Sequence, residues 1–277
     1  MFKTIVAFLF CNLFLACSDT IIIDNQPDTT ANAAAIPGYF KKRVLVEDYT
    51  GTWCGNCTRV SYAIKKIEED PANNAVFVAI HNGNDPYHFS DIQPLKDLIS
   101  PKNDLALPQS RLNRTQVWSA PEPKNLAQVK NFSSNNCGLG LSISSTVSNQ
   151  NIAVDVGIKF ASKYENLRIV VCILENKLIY DQEDYTTYFG LKFPNHTLYD
   201  FEHNHVLRAA LTNIMGEAIT EATTNGQTII KHFETTIPSK ITNKNNLSFV
   251  AFVVDQNNTV INVRAGNSNE NQVFEEN

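Results

Sequence analysis

The chain has 277 residues, of which 43% are hydrophobic, 10% aromatic and 18% charged. That apolar share can bury a core, which excludes wholesale disorder. A formal net charge of −5, from 23 basic and 28 acidic residues, excludes the basic footprint of a nucleic-acid groove, so no nucleic-acid partner is expected. Beyond the first twenty residues no apolar run approaches the roughly 20 needed to cross a bilayer.

Lys3 precedes an apolar run from Ile5 to Ala16, interrupted by Asn12, that stops at Leu15-Ala16-Cys17 and turns polar at Ser18-Asp19. Residues 1–17 read as a signal peptide rather than a membrane helix. The small residue before Cys17 resembles a bacterial lipoprotein cleavage box, with Phe14 standing where Leu is usual. On that resemblance Cys17 is acylated and becomes the new N-terminus. Each buried CH₂ of its acyl chains would contribute about 0.8 kcal/mol of membrane affinity. An ordinary secretory peptide is the other reading, and export follows from both. Residues 18–38, rich in Asp, Asn, Thr and Ala, read as a flexible tether. Cys11 leaves with the signal, so Cys54, Cys57, Cys137 and Cys172 remain in a compartment where disulfides persist.

Residues 39–135 alternate strand and helix. Val44-Leu45-Val46 opens a strand. Val60, Ala63, Ile64 and Ile67 fall at helical spacing within Thr58–Glu69, and Pro71 forbids continuation. Ala75–Ile80 is apolar on both faces, as an interior strand would be. Helices are predicted for Asp91–Ser100 and Glu122–Phe132. From residue 136 to 277 the period changes to two: Leu139, Leu141 and Ile143 alternate with small residues, as do Ile152, Val154, Val156, Ile158 and Phe160. Further strands are predicted at Leu167–Leu174, Thr228–Ile237, Leu247–Val254 and Thr259–Arg264, with turn residues Asp255 to Asn258 between the last two. Roughly six to eight antiparallel strands suggest an all-β, immunoglobulin-like sandwich domain. The polar-aromatic stretch Asp181–Asn204 has no clear period.

The most specific chemistry is Trp53-Cys54-Gly55-Asn56-Cys57, after a predicted strand and at a predicted helix start. The unpaired N–H groups there favour thiolate over thiol. In such a turn Cys54 is the more exposed sulfur and would attack a substrate disulfide, with Cys57 resolving the mixed disulfide and Trp53 flanking the pair. A structural disulfide and a zinc site are the competing readings, and no second Cys or Cys/His pair at ligand spacing supports zinc.

The segment Val44 to Cys57 resembles the active-site segment of thioredoxin. That resemblance implies an α/β thioredoxin-like domain over residues 39–135. It also implies a buried proton relay at Asp48, and a cis-proline at Leu107-Pro108 whose backbone clamps the substrate. Pro101 and Pro121 compete for that place, and Asn56 replaces the usual Pro between the cysteines. More narrowly, the chain resembles the 28-kilodalton outer membrane protein (Omp28-related) family of exported lipoproteins. This rests on the lipid-type signal, Glu47 to Gly51, Pro108 to Arg114, and His203-Asn204-His205-Val206-Leu207-Arg208. It implies an outer-membrane location, anchored by the lipid.

Cys137 and Cys172 either form a disulfide inside the second domain or stay as buried thiols. His203 and His205, with His196, are read as hydrogen-bonding residues rather than metal ligands, so no metal or organic cofactor is expected. The leading functional expectation is a lipid-anchored thiol–disulfide oxidoreductase acting on protein thiols and disulfides with an unknown redox partner. The alternative is a non-catalytic surface or periplasmic binding lipoprotein that uses the β domain, with Tyr185, Tyr188 and Phe189 as candidate contacts.

Overall fold

A computed structural model describes residues 35–70, 72–102, 105–190 and 195–277. The signal segment, Cys17, Pro71 and the tether up to residue 34 lie outside the described residues. Among those described, no helix is long and apolar enough to cross a membrane.

The chain enters through β1 (Phe40–Lys42) and β2 (Val44–Thr50), the latter buried along its whole length. Helix α1 (Thr58–Glu68) follows at once, burying Val60, Ala63, Ile64 and Ile67 and carrying Lys65 and Lys66 in its last turn, where they complement the helix dipole. Strand β3 (Ala75–His81) then lies parallel to β2, from Val44 opposite Ala75 to Thr50 opposite His81. Helix α2 (Gln93–Ile99) is shorter than the predicted Asp91–Ser100 and holds Pro94 in its first turn, where no N–H is needed. Strands β4 (Gln109–Leu112) and β5 (Gln116–Val117) extend the sheet beyond β2. The helix predicted over Glu122–Phe132 is broken into a 3₁₀ turn, Glu122–Lys124, and α3 (Leu126–Lys130). Asn125 is the break: it sits at φ −120°, and its side-chain amide donates to the carbonyls of Ser119 and Pro121.

The second half supplies β6 (Ser134–Cys137), β7 (Leu139–Val147), β8 (Asn151–Phe160), β9 (Arg168–Glu175), β10 (Leu178–Glu183), β11 (Thr197–His203), β12 (Val206–Ala210), β13 (Glu217–Ala218), β14 (Thr228–Thr236), β15 (Leu247–Val254) and β16 (Val260–Asn267). The stretch without a readable period is therefore a hairpin, β10–β11, with a connecting loop. Its strands carry exposed Tyr180 and Tyr199 beside buried Gln182 and His203, so hydropathy does not alternate even though the backbone does.

One nine-stranded sheet, in the order β16-β15-β9-β12-β3-β2-β4-β5 with β13 beside β9, runs through both halves of the sequence. It crosses the change of texture at 135/136, because β12 joins β3 on one side and β9 on the other. Paired residues share a face. Asp48 pairs with Ala79, Ala79 with Val206, Val206 with Glu175 and Glu175 with Leu247, which fixes one side of the sheet. On that side α1 covers Val44, Val46 and Phe77. The three-stranded sheet β14-β8-β7 covers Ile169, Val171, Ile173, Phe249, Ala251 and Val253 on the same side. The result is mostly β-sheet, with a sandwich layer in the second half. On the opposite side Leu45, Tyr49, Val78, Val170, Leu174 and Phe252 share a core with Leu95 of α2.

The Cys137–Cys172 bond is not formed: both are buried thiols in different cores, Cys137 in the sandwich and Cys172 on the far side of the sheet. The Cys137 thiol donates to the Ile261 carbonyl at 3.7 Å. Burial pushes the Cys172 thiol up to about 12 against the opposing pull of Arg114.

Candidate functional site

Past Thr50 the chain turns through Gly51-Thr52-Trp53, and Cys54 and Cys57 close a disulfide with their Cα atoms 5.4 Å apart. Cys57 donates its amide to the Cys54 carbonyl at 3.0 Å and caps α1. Trp53 is half exposed, and its indole N–H donates to the Asn82 carbonyl at 2.9 Å. Asp48 is 2% exposed, on the α1 side of β2 opposite Ser110. Its Oδ1 accepts no hydrogen bond from the described residues. Burial pushes this carboxyl well above the usual range, the Glu122 charge adds to the effect, and Arg59 opposes it. Leu107-Pro108 is a cis peptide immediately before β4, and Ala120-Pro121 is a second one. Leu107 is half-buried against the core under α2.

The cysteine turn is covered. Gln182 donates to the Gly51 carbonyl at 3.3 Å and the Cys54 carbonyl at 3.2 Å. Glu183 donates its amide to the Thr52 carbonyl at 2.9 Å, and Tyr185 donates to the Gly55 carbonyl at 2.8 Å. The Asp184 carboxylate accepts from the Thr58 hydroxyl at 2.6 Å. Cys54 is left 5% exposed and Cys57 1%. Cys54 is the more exposed of the two, as expected for the first position of such a turn, and both are buried. An arm from residue 182 to 186 occupies the ground in front of the turn. The local sequence around the cysteines carries no sign of it, since the covering residues lie some 130 positions away.

Beside the turn, between α1 and the β10–β11 hairpin, lies a cavity of about 400 Å³ floored by β2 and β3. Asp48, Ser61 and His81 face it together with the apolar walls of Ile64, Phe189 and Phe201. The His81 Nδ1 lies 3.1 Å from the Asp85 carboxylate, which also accepts from the amides of Thr52 and Tyr87. Burial works to raise the Asp85 carboxyl, and these bonds outweigh it, holding it below the usual range. Burial, with the neighbouring His81, pushes His203 down to about 4, so it is neutral at pH 7. The Nε2 atoms of the two histidines of the β11 end go to separate partners: that of His203 lies 3.2 Å from the Tyr180 carbonyl, and that of His205 2.7 Å from Glu68. His196 packs edge-on to Tyr185, with ring centres 5.2 Å apart. Of the residues singled out from sequence, Asp48, Phe189, His203 and His205 meet at one cavity beside the disulfide, whereas Cys137 and Cys172 take no part.

A family model described as outer membrane protein Omp28 matches residues 102–272. Among solved structures, HBP35 of Porphyromonas gingivalis is similar in fold at 17% identity and TM-score 0.62, over 85% of this chain and 78% of that one. A protein of Agrobacterium tumefaciens aligns at 11% identity and TM-score 0.52, over 87% of this chain and 98% of that one. A domain of the outer membrane lipoprotein Omp28 from Porphyromonas gingivalis is 21% identical over 49% of this chain and 92% of that one, with TM-score 0.32. None of the curated proteins matches.

Proposed function

The chain belongs to the Omp28 family and is an exported, lipid-anchored protein of the outer membrane, and from that premise we propose that it acts there as a non-catalytic binding lipoprotein. Its α/β segment, residues 39–135, then serves as a thioredoxin-like scaffold joined to the β-rich segment 136–277. The carrying observation is the arm that bonds to the carbonyls of Gly51, Thr52, Cys54 and Gly55, leaving both sulfurs buried. A thiol–disulfide exchange catalyst must present one sulfur to a foreign disulfide in line, and here both cysteines are buried with the protein's own chain bonded along their turn. The test is insulin-disulfide reduction by the chain from Ala31 onward against its Cys54→Ser variant. Equal rates support the binding reading, and a rate that depends on Cys54 overturns it.

One observation favours a second reading. Asp48 is a buried carboxyl with an unpartnered oxygen at the end of the strand leading into the cysteine turn, the place a proton relay to Cys57 would take. In that reading the protein is a thiol–disulfide oxidoreductase with Cys54 as nucleophile and Leu107-Pro108 as the substrate clamp. The arm from residue 182 to 186 must then lift during turnover.

A further inference from the structure

We propose that the cavity between α1 and the β10–β11 hairpin is a binding site for a compact organic cation, a protonated amine or amidine on an aromatic or ring-shaped body, with Asp48 as its counter-ion. The size suits such a molecule: about 400 Å³ lies within the range of sites that enclose small ligands. Its chemistry is asymmetric. Phe189, Phe201 and Ile64 provide apolar and aromatic wall against which a ring can pack.

Asp48 lines the same space, and its Oδ1 is sealed in behind that surface without a partner, a costly arrangement for a buried carboxyl. The nearby Arg59 guanidinium turns instead to Glu122, at 2.6 Å. At the edge Glu68 is paired with His205 at 2.7 Å, and the exposed Glu202 stands there with the exposed Lys65, so no unopposed positive charge waits for an anion. An amidinium brought against the Asp48 carboxyl would give this buried group a charge-assisted partner and draw it into its ionised form against the burial that favours the proton. An anion of the same shape would meet three carboxyl groups.

The biological sense of this site rests on the binding reading above, but the two are tested apart. Three isosteric probes, benzamidine, benzamide and benzoate, are titrated into the full chain purified in detergent and followed by saturation-transfer NMR and calorimetry. Benzamidine is expected to bind at least tenfold more tightly than benzamide, and benzoate most weakly. Asp48→Asn is expected to abolish the preference for benzamidine while leaving benzamide binding within about twofold. Glu202→Gln, an exposed substitution that spares the fold, is expected to weaken benzamidine two- to threefold without affecting benzamide. Failure of all three probes to bind, benzoate binding as tightly as benzamidine, or a benzamidine preference that survives Asp48→Asn would each overturn the proposal. An insulin assay independent of Cys54 combined with no benzamidine binding sinks this site and leaves the non-catalytic reading standing. Benzamidine binding with a Cys54-dependent insulin rate does the reverse.

Discussion

Tyr185 lies across Gly55: its amide donates to the Gly55 carbonyl, and a Cβ placed on Gly55 would stand 2.5 Å from the Tyr185 ring. Only glycine leaves room for that ring where it lies, so the first of the two residues between the cysteines is fitted to the arm that covers them. Tyr185 is itself 59% exposed, and losing its ring removes cover rather than core. Tyr185→Ala is therefore expected to speed reduction of the Cys54–Cys57 bond by dithiothreitol severalfold with little change in stability. Gly55→Ala should act in the same direction by displacing the ring. Quenched alkylation and mass spectrometry give the rate, and a rate equal to wild type would mean that the arm does not govern access.

On the far face of the sheet Arg114 is fully buried. It donates to Glu47 through Nε and Nη2 at 3.2 and 3.0 Å and to the Ile214 carbonyl at 3.0 Å, with the Phe252 ring 4.7 Å away. Truncating it strands a carboxylate among Leu45, Tyr49 and Phe252. Arg114→Met is expected to cost about 3–5 kcal/mol, because an uncompensated buried charge is left behind. Glu47→Gln with Arg114→Met should recover part of that loss. Urea denaturation of Arg114→Met, Glu47→Gln and the double variant decides it, and additive losses would show that the pair is not coupled.

These relationships differ in how far the sequence discloses them. The strand–turn–helix around Cys54 is local: β-period residues, a Gly-containing turn and a 3.6-residue apolar spacing sit within 25 positions, and α1 ends within one residue of its predicted end. The sandwich strands are legible for the same reason, since Leu139, Leu141 and Ile143 alternate with small partners on one buried face. What is hidden is long-range. Nothing in Val206-Leu207 announces that β12 bridges β3 and β9 into one sheet. The hairpin carrying Gln182 and Phe201 reads as irregular because its buried positions are polar. The Cys137–Cys172 pairing fails on a matter of side: strand alternation turns Cys172 away from the sandwich core that Cys137 occupies.

His203 gives the protein an acid-sensitive component. Its imidazole titrates near 4 when folded, through burial first and the nearby His81 second, against 6.5 for the ordinary group. Between those values the unfolded chain holds a proton that the folded one lacks, so stability falls as the pH drops from about 6.5 to about 4 and levels below. The full difference is on the order of 3 kcal/mol. His203→Gln keeps a donor toward the Tyr180 carbonyl and removes the titration. Its stability should be flatter than wild type across that window, measured by urea midpoints at pH 4.5, 5.5 and 6.5. Parallel pH profiles would assign the acid sensitivity elsewhere.

The disulfide closes a very short loop, and loop size sets how much it restricts the unfolded chain. For residues three apart the chain-entropy relation gives about 2 kcal/mol at 25 °C, near the low end for natural bonds. Replacing both Cys54 and Cys57 with Ala should lower the urea-derived stability by about that amount while leaving far-UV dichroism unchanged, since β2, α1 and the sheet pairings do not depend on the sulfurs. A loss of 4 kcal/mol or more would mean that the bond also fixes the carbonyls of Gly51, Cys54 and Gly55 that receive the arm. Loss of protection at the amides of Glu183 and Tyr185 in hydrogen exchange would accompany it. The two outcomes separate a bond that merely trims the unfolded ensemble from one that organises the covered turn.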